Sequence, residues 1–96
     1  MKLLIIIHSI VIEAQVMEAL RSLEIDSYTR LPVAYGKGGS SEPKFDDVVW
    51  PGHNSILLVV AEDGRAAELM SKVAELRREF RSEGIKAFML PVDAAT

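Results

Sequence analysis

The chain contains no cysteine. That single absence excludes disulfides, thiolate-bound metals and thiol nucleophiles, and it suits a reducing cytoplasm. Positive charge is not in excess either: 11 Lys and Arg stand against 14 Asp and Glu, for a formal net charge of −3. Binding driven by nucleic-acid phosphates needs a basic footprint, so nucleic acid is not an expected partner. Long apolar runs are also missing. The segment from Met1 to Val11 is apolar but too short to span a bilayer, has no small-residue cleavage site, and runs straight into a helical pattern. It reads as a core strand. No repeats or low-complexity tracts occur, and no nucleophile–base pair or paired acid/base carboxylates stand out, so a non-enzymatic role is expected.

What is present is a globular composition, 49% hydrophobic and 26% charged over 96 residues, which makes one domain. A chain this small buries roughly 60–65% of its unfolded surface, so it folds alone but gains from oligomerisation. Leu3-Leu4-Ile5-Ile6-Ile7 is a branched apolar run of the kind found in central strands. From about Ile12 the period becomes helical, with Val16, Met17, Leu20 and Leu23 on one stripe. Residues 27–34 alternate as a strand, and Pro32 places that strand at an edge. Residues 55–61 form a second buried strand. Asp63 then serves as a candidate N-cap for a helix from about Arg65 to Glu83, with Leu69, Val73, Leu76 and Phe80 on its inner face. On the outer face Glu68 with Lys72 and Glu75 with Arg78 are spaced to pair, and Gly84 suits the C′ position. Residues 86–92 make the last strand.

Strand, helix, strand, strand, helix, strand is the order of a ferredoxin-like α+β sandwich: a four-stranded antiparallel sheet with both helices on one face. The other face then has no helix to cover it. Large exposed apolar patches are rare in monomers, so the pattern predicts an oligomer built sheet against sheet.

Between the second and third strands lies the stretch 36–54, opening with Gly36, Gly38 and Gly39 and carrying Pro43 and Pro51. Hairpin loops are usually about two to five residues long, so this one either has a function or is a tolerated surface insertion. Phe45 and Trp50 favour the first reading, because large aromatics are seldom left on idle loops. Fold alone does not choose a function. The strand 55–61 has no aromatics for stacking RNA bases, and heavy-metal carriers of this fold need a cysteine pair.

Several segments resemble the PII-like signalling proteins, along nearly the whole chain. Met1-Lys2-Leu3-Leu4-Ile5-Ile6-Ile7 with Val16-Met17-Glu18-Ala19-Leu20 is similar to the family's first strand and helix. Gly36-Lys37-Gly38 falls where the family enters its long T-loop, and Lys86-Ala87-Phe88-Met89-Leu90-Pro91-Val92-Asp93 is similar to its last strand. Gly36 to Ser40 together with Trp50-Pro51-Gly52-His53-Asn54 is closest to the divergent branch associated with transporters and metal efflux. The resemblance implies a cytoplasmic homotrimer that binds ATP, ADP or AMP in clefts between subunits. It also implies a T-loop, 36–54 here, that reports the ligand to a transporter or other partner. Gly36, Lys37, Gly38 and Gly39 would lie beside the phosphates, with Lys86 matching the lysine that ends the phosphate-cradling B-loop. The preceding B-loop positions read Glu83, Gly84 and Ile85, a departure from the family's glycine-aspartate-glycine. Glycine amides forming an anion nest and lysine supplying a point charge give that assignment its physical sense.

Three further positions each admit two readings. His8, at the end of a buried strand, either hydrogen-bonds there or ligates a metal. His53, with Asp46, Asp47 and Asn54 nearby in sequence, either holds a divalent metal or is ordinary loop polarity. Phe45 and Trp50 are assigned to the partner-contact loop, and Trp50 is either a lid on the body or a contact tip. The rival to nucleotide sensing is a metal-responsive, CutA-like trimer with little nucleotide affinity. An enzyme of the inter-subunit cleft is a second rival, and a purely structural assembly module a third.

Overall fold

In the computed structural model, which describes residues 1–39, 43–46 and 52–96, the apolar runs form the centre of one sheet. β1 (Lys2–Ser9) pairs antiparallel with β3 (Asn54–Ala61) on one side and with β4 (Ile85–Pro91) on the other. β2 (Thr29–Ala34) pairs antiparallel with β3 and lies at the edge, giving the order β2-β3-β1-β4. The register of β2 slips between Leu31 and Ala34, across Pro32. Proline has no N–H to donate to a ladder, so an edge strand with an irregularity is where it is tolerated.

The side-chain alternation of the strands divides the sheet into two faces. Leu4 and Ile6 of β1, Leu57 and Val59 of β3, and Ile85 of β4 are buried on one face. They meet Val16, Ala19 and Leu20 of α1 (Glu13–Ser22) and Ala66, Leu69 and Val73 of α2 (Asp63–Glu79). Both amphipathic stripes seen in the sequence therefore point into one core, and the ferredoxin-like α+β arrangement is the observed one. Across the sheet, Ile5 stands opposite Leu58 and Phe88, and Leu3 opposite Val60 and Leu90. That face keeps Phe88, Val60, Leu90 and Leu31 exposed by 42–50%.

Several boundaries differ from the sequence reading, each for a local reason. β1 continues through Ser9, which pairs with Asn54 and caps a 3₁₀ turn at Ile10–Ile12, its Oγ accepting from the Val11 N–H at 3.3 Å. Asp63 does not cap α2. Glu62 holds the N-cap position without a side-chain bond, and the Asp63 carboxylate instead accepts from the Met1 ammonium at 2.7 Å. α2 stops at Glu79 rather than Glu83, because Phe80 leaves helical geometry (φ −113°, ψ 62°) and packs on the core. Gly84 consequently is not the C′ residue; its carbonyl accepts from the Ser9 N–H at 2.8 Å. The pairs Glu68–Lys72 and Glu75–Arg78 are not among the ion pairs of the described residues. Among those residues, no helix is long and apolar enough to cross a membrane.

α1 ends at Ser22 with Leu23 as its C-cap, and Glu24 follows with φ 57°, a left-handed conformation usually given to glycine. The N–H groups of Glu24 and Ile25 return to the carbonyls of Arg21 and Leu20, which satisfies the free end of the helix.

Candidate functional site

The ends of β1, β2, β3 and β4 nearest the long loop meet the C-terminal end of α2 around a cleft of about 760 Å³. That volume is within the roughly 300–1,000 Å³ of small-molecule sites. Gly36, Lys37, Gly38 and Gly39 all line it, and so does Lys86. All the residues that sequence reading assigned to phosphate binding are thus brought together. Two reciprocal backbone bonds, Gly36 N–H to the Lys44 carbonyl at 2.9 Å and Lys44 N–H to the Gly36 carbonyl at 2.7 Å, pinch the base of the loop. Gly36 is closely approached there: a Cβ would stand 3.3 Å from Asn54 Nδ2, so a larger residue would require that side chain to give by a few tenths of an ångström. The return limb is tied down as well, since the His53 carbonyl accepts from the Ile10 N–H at 3.0 Å and the Gly52 carbonyl from the Asp46 N–H at 2.8 Å.

The α2 side of the cleft was missed by sequence reading. Arg77, Arg78 and Arg81 line it with Ala74, and Lys44 and Glu83 complete the charged lining. Among the described residues, six cationic side chains and one acid therefore converge in a chain whose net charge is −3. Charge pairing makes the concentration sharper. Arg21, Arg30 and Arg65, all outside the cleft, are each paired with a glutamate. Among the described residues, no ion pair involves Arg77, Arg78, Arg81, Lys37 or Lys86. Unneutralised guanidinium forks and lysines beside glycine-rich backbone are chemically suited to phosphate or carboxylate oxygens. A sequence signal did exist: three arginines within five positions, with glutamates near enough to pair. The expected Glu75–Arg78 pair concealed it.

His8 is elsewhere, fully buried on the helix-facing side of β1. Its Nε2 lies 3.3 Å from Glu13 Oε1, the other Glu13 oxygen accepts from Arg30, and among the described residues Nδ1 has no partner. Ser55 is equally buried, its hydroxyl within 3.3 Å of the Leu31 carbonyl and also able to serve Glu13. A hydroxyl has one proton, and the ionised carboxylate is the stronger acceptor. Burial pushes the His8 pKa down, only partly offset by the hydrogen bond and charge of Glu13, so the imidazole is neutral at pH 7. Burial opposes ionisation of Glu13, but hydrogen bonds from Ser55 and His8 and the Arg30 charge outweigh it and hold the carboxyl below its ordinary range. Serine, histidine and glutamate here have the composition of a catalytic triad without access to a substrate. They are a polar pin in the core.

His53 Nδ1 lies 3.0 Å from Asp46 Oδ2, and among the described residues no group of three metal-ligating side chains forms around that pair. Phe45 is 39% exposed beside the loop base. Trp50 and Asp47 lie outside the described residues.

Comparison with known proteins adds lineage to this geometry. The family model for Nitrogen regulatory protein P-II matches residues 1–96. No curated protein matches the chain. Among solved structures, CPII from Thiomonas intermedia K12, bound to ADP and bicarbonate, is similar with a TM-score of 0.71 at 15% identity, covering 97% of this chain and 88% of that one. The same protein bound to ADP, AMP and bicarbonate gives a TM-score of 0.69 at 15% identity, with coverage of 97% and 88%. A PII-like signalling protein from Thermus thermophilus gives 0.66 at 21% identity, covering 93% of this chain and 83% of that one. At such identities the likeness establishes a shared fold.

Proposed function

The chain belongs to the nitrogen regulatory protein P-II family, and we propose that it is a non-enzymatic cytoplasmic regulator that binds an adenine nucleotide in the cationic cleft. The observation that carries this reading is the set Lys37, Arg77, Arg78, Arg81 and Lys86, gathered around a glycine-rich loop base without an ion pair among the described residues. Phosphates would sit among these cations and the backbone of Gly36 to Gly39, with Lys86 across from them on β4. The nucleotide-bound state of CPII, a structural relative, supports the choice of ligand.

The partially exposed apolar face formed by Leu31, Val60, Phe88 and Leu90 supports a homotrimer closed sheet to sheet. In that assembly the cleft lies at the rim of the sheet, where a neighbouring subunit completes it. The 36–54 segment begins and ends at the cleft, so ligand occupancy acts directly on its two anchors. We assign it the contact with a regulated partner, a transporter or another membrane protein, with Phe45 and Trp50 as contact residues. Burial of His8 and Ser55 supports a regulatory rather than a catalytic role.

A divalent metal at His53 is the second reading, favoured by the His53–Asp46 approach. Calorimetric titration with ATP, ADP and AMP, each with and without a divalent metal, separates the two. Saturable nucleotide binding at one site per subunit, lost in Lys86→Ala, is the expected outcome. Heat with metal alone, abolished by His53→Ala, would transfer the function to the metal-responsive reading. Silence toward every nucleotide refutes the main one.

A further inference from the structure

We propose that the edge strand β2 is a proton-released element: the buried cluster of His8, Glu13 and Ser55 ties it to the body, and uptake of a proton by His8 at Nδ1 undoes the tie made through Arg30. This goes beyond the functional reading above and does not depend on which ligand the cleft takes.

β2 is weakly attached. Among the described residues, none of the core side chains belongs to it, and it is exposed from Thr29 to Val33. Its ladder to β3 covers Thr29, Arg30 and Leu31, breaks at Pro32, which has no N–H to donate, and resumes at Ala34. Two polar ties supplement that ladder, and both run to the same cluster. Arg30 donates to one Glu13 oxygen, and the Leu31 carbonyl accepts from Ser55 Oγ at 3.3 Å. His8 stands opposite Ser55 in the register, and its Nε2 lies 3.3 Å from the second Glu13 oxygen. An edge strand that buries no side chain opens more readily than one anchored in the core, so such ties matter more to it.

The tautomer of His8 follows from its neighbour. Ionised Glu13 only accepts, so Nε2 carries the hydrogen and Nδ1 holds the free lone pair. A second proton goes to Nδ1, which is fully enclosed and has no partner among the described residues. The charged and titratable groups facing the ring are Glu13 from α1 and Arg30 from β2; β3 and β4 set Ser55 and Ile85 beside it, and neither titrates. Protonation therefore leaves two cations competing for one carboxylate, and their surroundings decide the winner. Arg30 is 41% exposed and recovers water when released, whereas His8 is sealed from it. The carboxylate is drawn to the imidazolium, and the guanidinium goes to solvent. Burial holds the His8 pKa below its ordinary 6.5, so the release belongs to acid conditions. β2 runs directly into Ala34, Tyr35 and Gly36 on the cleft wall, so its release loosens the entry to the long loop.

The test is amide hydrogen exchange of the whole chain by NMR, each rate divided by the intrinsic rate at the same pH. It is run at about pH 7.5 and about pH 5.5, roughly one unit either side of the ordinary histidine value. Acid should lower the protection of the β2 amides roughly fivefold further than that of the β1 amides, the worth of an exposed ion pair at its upper end. Arg30→Gln should bring β2 to its acid level already at the higher pH. It should also move the His8 ring titration to higher pH, because the Arg30 charge opposes protonation and the coupling is reciprocal. In His8→Phe the ratio of β2 to β1 protection should be the same at both pH values. A β2 protection that falls only in step with β1, or a larger fall that persists in His8→Phe, overturns the proposal. A ring titration unmoved by Arg30→Gln overturns it as well. If His8→Phe does not fold, the wild-type comparison and the Arg30→Gln variant, made at a partly exposed site, decide it between them.

Discussion

Glu13→Ala removes the carboxylate that joins β1, α1 and β2 at the core's polar pin. His8 then keeps a fully buried Nε2–H without the Glu13 acceptor, beside an Nδ1 that has no partner among the described residues. Leaving a buried donor unsatisfied costs about 1–3 kcal/mol. Loss of the Arg30 partner adds less than about 1 kcal/mol, because the Arg30 side chain is 41% exposed and solvent screens the pair. Glu13 also sits in the first turn of α1, where a negative charge contributes about 0.5 kcal/mol. The expected destabilisation is about 2–4 kcal/mol, a large share of a typical 5–15 kcal/mol. Urea unfolding at pH 7.5 (about one unit above the ordinary His pKa) measures it as a shift in midpoint at constant slope. Arg30→Ala serves as the exposed-pair control and should cost about 1 kcal/mol or less. His8→Phe placed in the Glu13→Ala background should recover much of the loss, since removing both partners leaves no stranded donor. A Glu13→Ala cost below that of Arg30→Ala, or no recovery in the double variant, refutes the account of His8 as a polar group that depends on Glu13.

Acidification should act on the same pin. The folded His8 pKa lies below its ordinary 6.5, so the native state binds the proton less readily than the unfolded chain. Its contribution is full above pH 6.5 and is lost as pH falls from there toward the folded pKa; unfolding midpoints against pH should show this decline, and His8→Phe should flatten it. Glu13, also lowered, adds a second loss beginning below its ordinary 4.5. Glu24→Gly should raise stability by about 0.5–1 kcal/mol, by relieving a left-handed backbone that glycine adopts freely; thermal unfolding reports it, and a loss of stability counts against the strain at φ 57°. The Arg65–Glu24 pair that this change sacrifices is 3.8 Å long and mostly exposed, so little is lost with it. Phe88→Glu, on the open sheet face, should dissociate the proposed trimer in analytical ultracentrifugation without unfolding the monomer. A wild-type chain that sediments as a monomer would refute the sheet-to-sheet assembly.

Much of this protein was legible in its sequence because the signals are local. The runs 3–7 and 55–61 were apolar enough to identify central strands, and Pro32 marked the edge strand because a missing N–H excludes it from the middle of a ladder. The stripes through Val16 and Leu20 and through Leu69 and Val73 identified two helices that cover one face. Gly36 to Gly39 and Lys86 were legible as candidate phosphate-binding residues only through the family resemblance, and their convergence came from the antiparallel register that sets the loop base beside the start of β4.

Tertiary structure decided what local pattern left undetermined. Whether α2 continued to Glu83 depended on Phe80, which leaves the helix to pack on the core, and helix propensity carries no information about that contact. Asp63 had the composition of a cap, but its carboxylate was claimed by the Met1 ammonium, which lies beside it only after folding. Arg78 had a plausible partner in Glu75 by spacing alone, yet it lines the cleft with Arg77 and Arg81. The chemistry of that cleft therefore depends on which way each charge points. Sequence determines the period of a helix and the sign of its charges; the packing of that helix against the sheet determines which charges meet, because charges distant in the chain interact only once the fold brings them together.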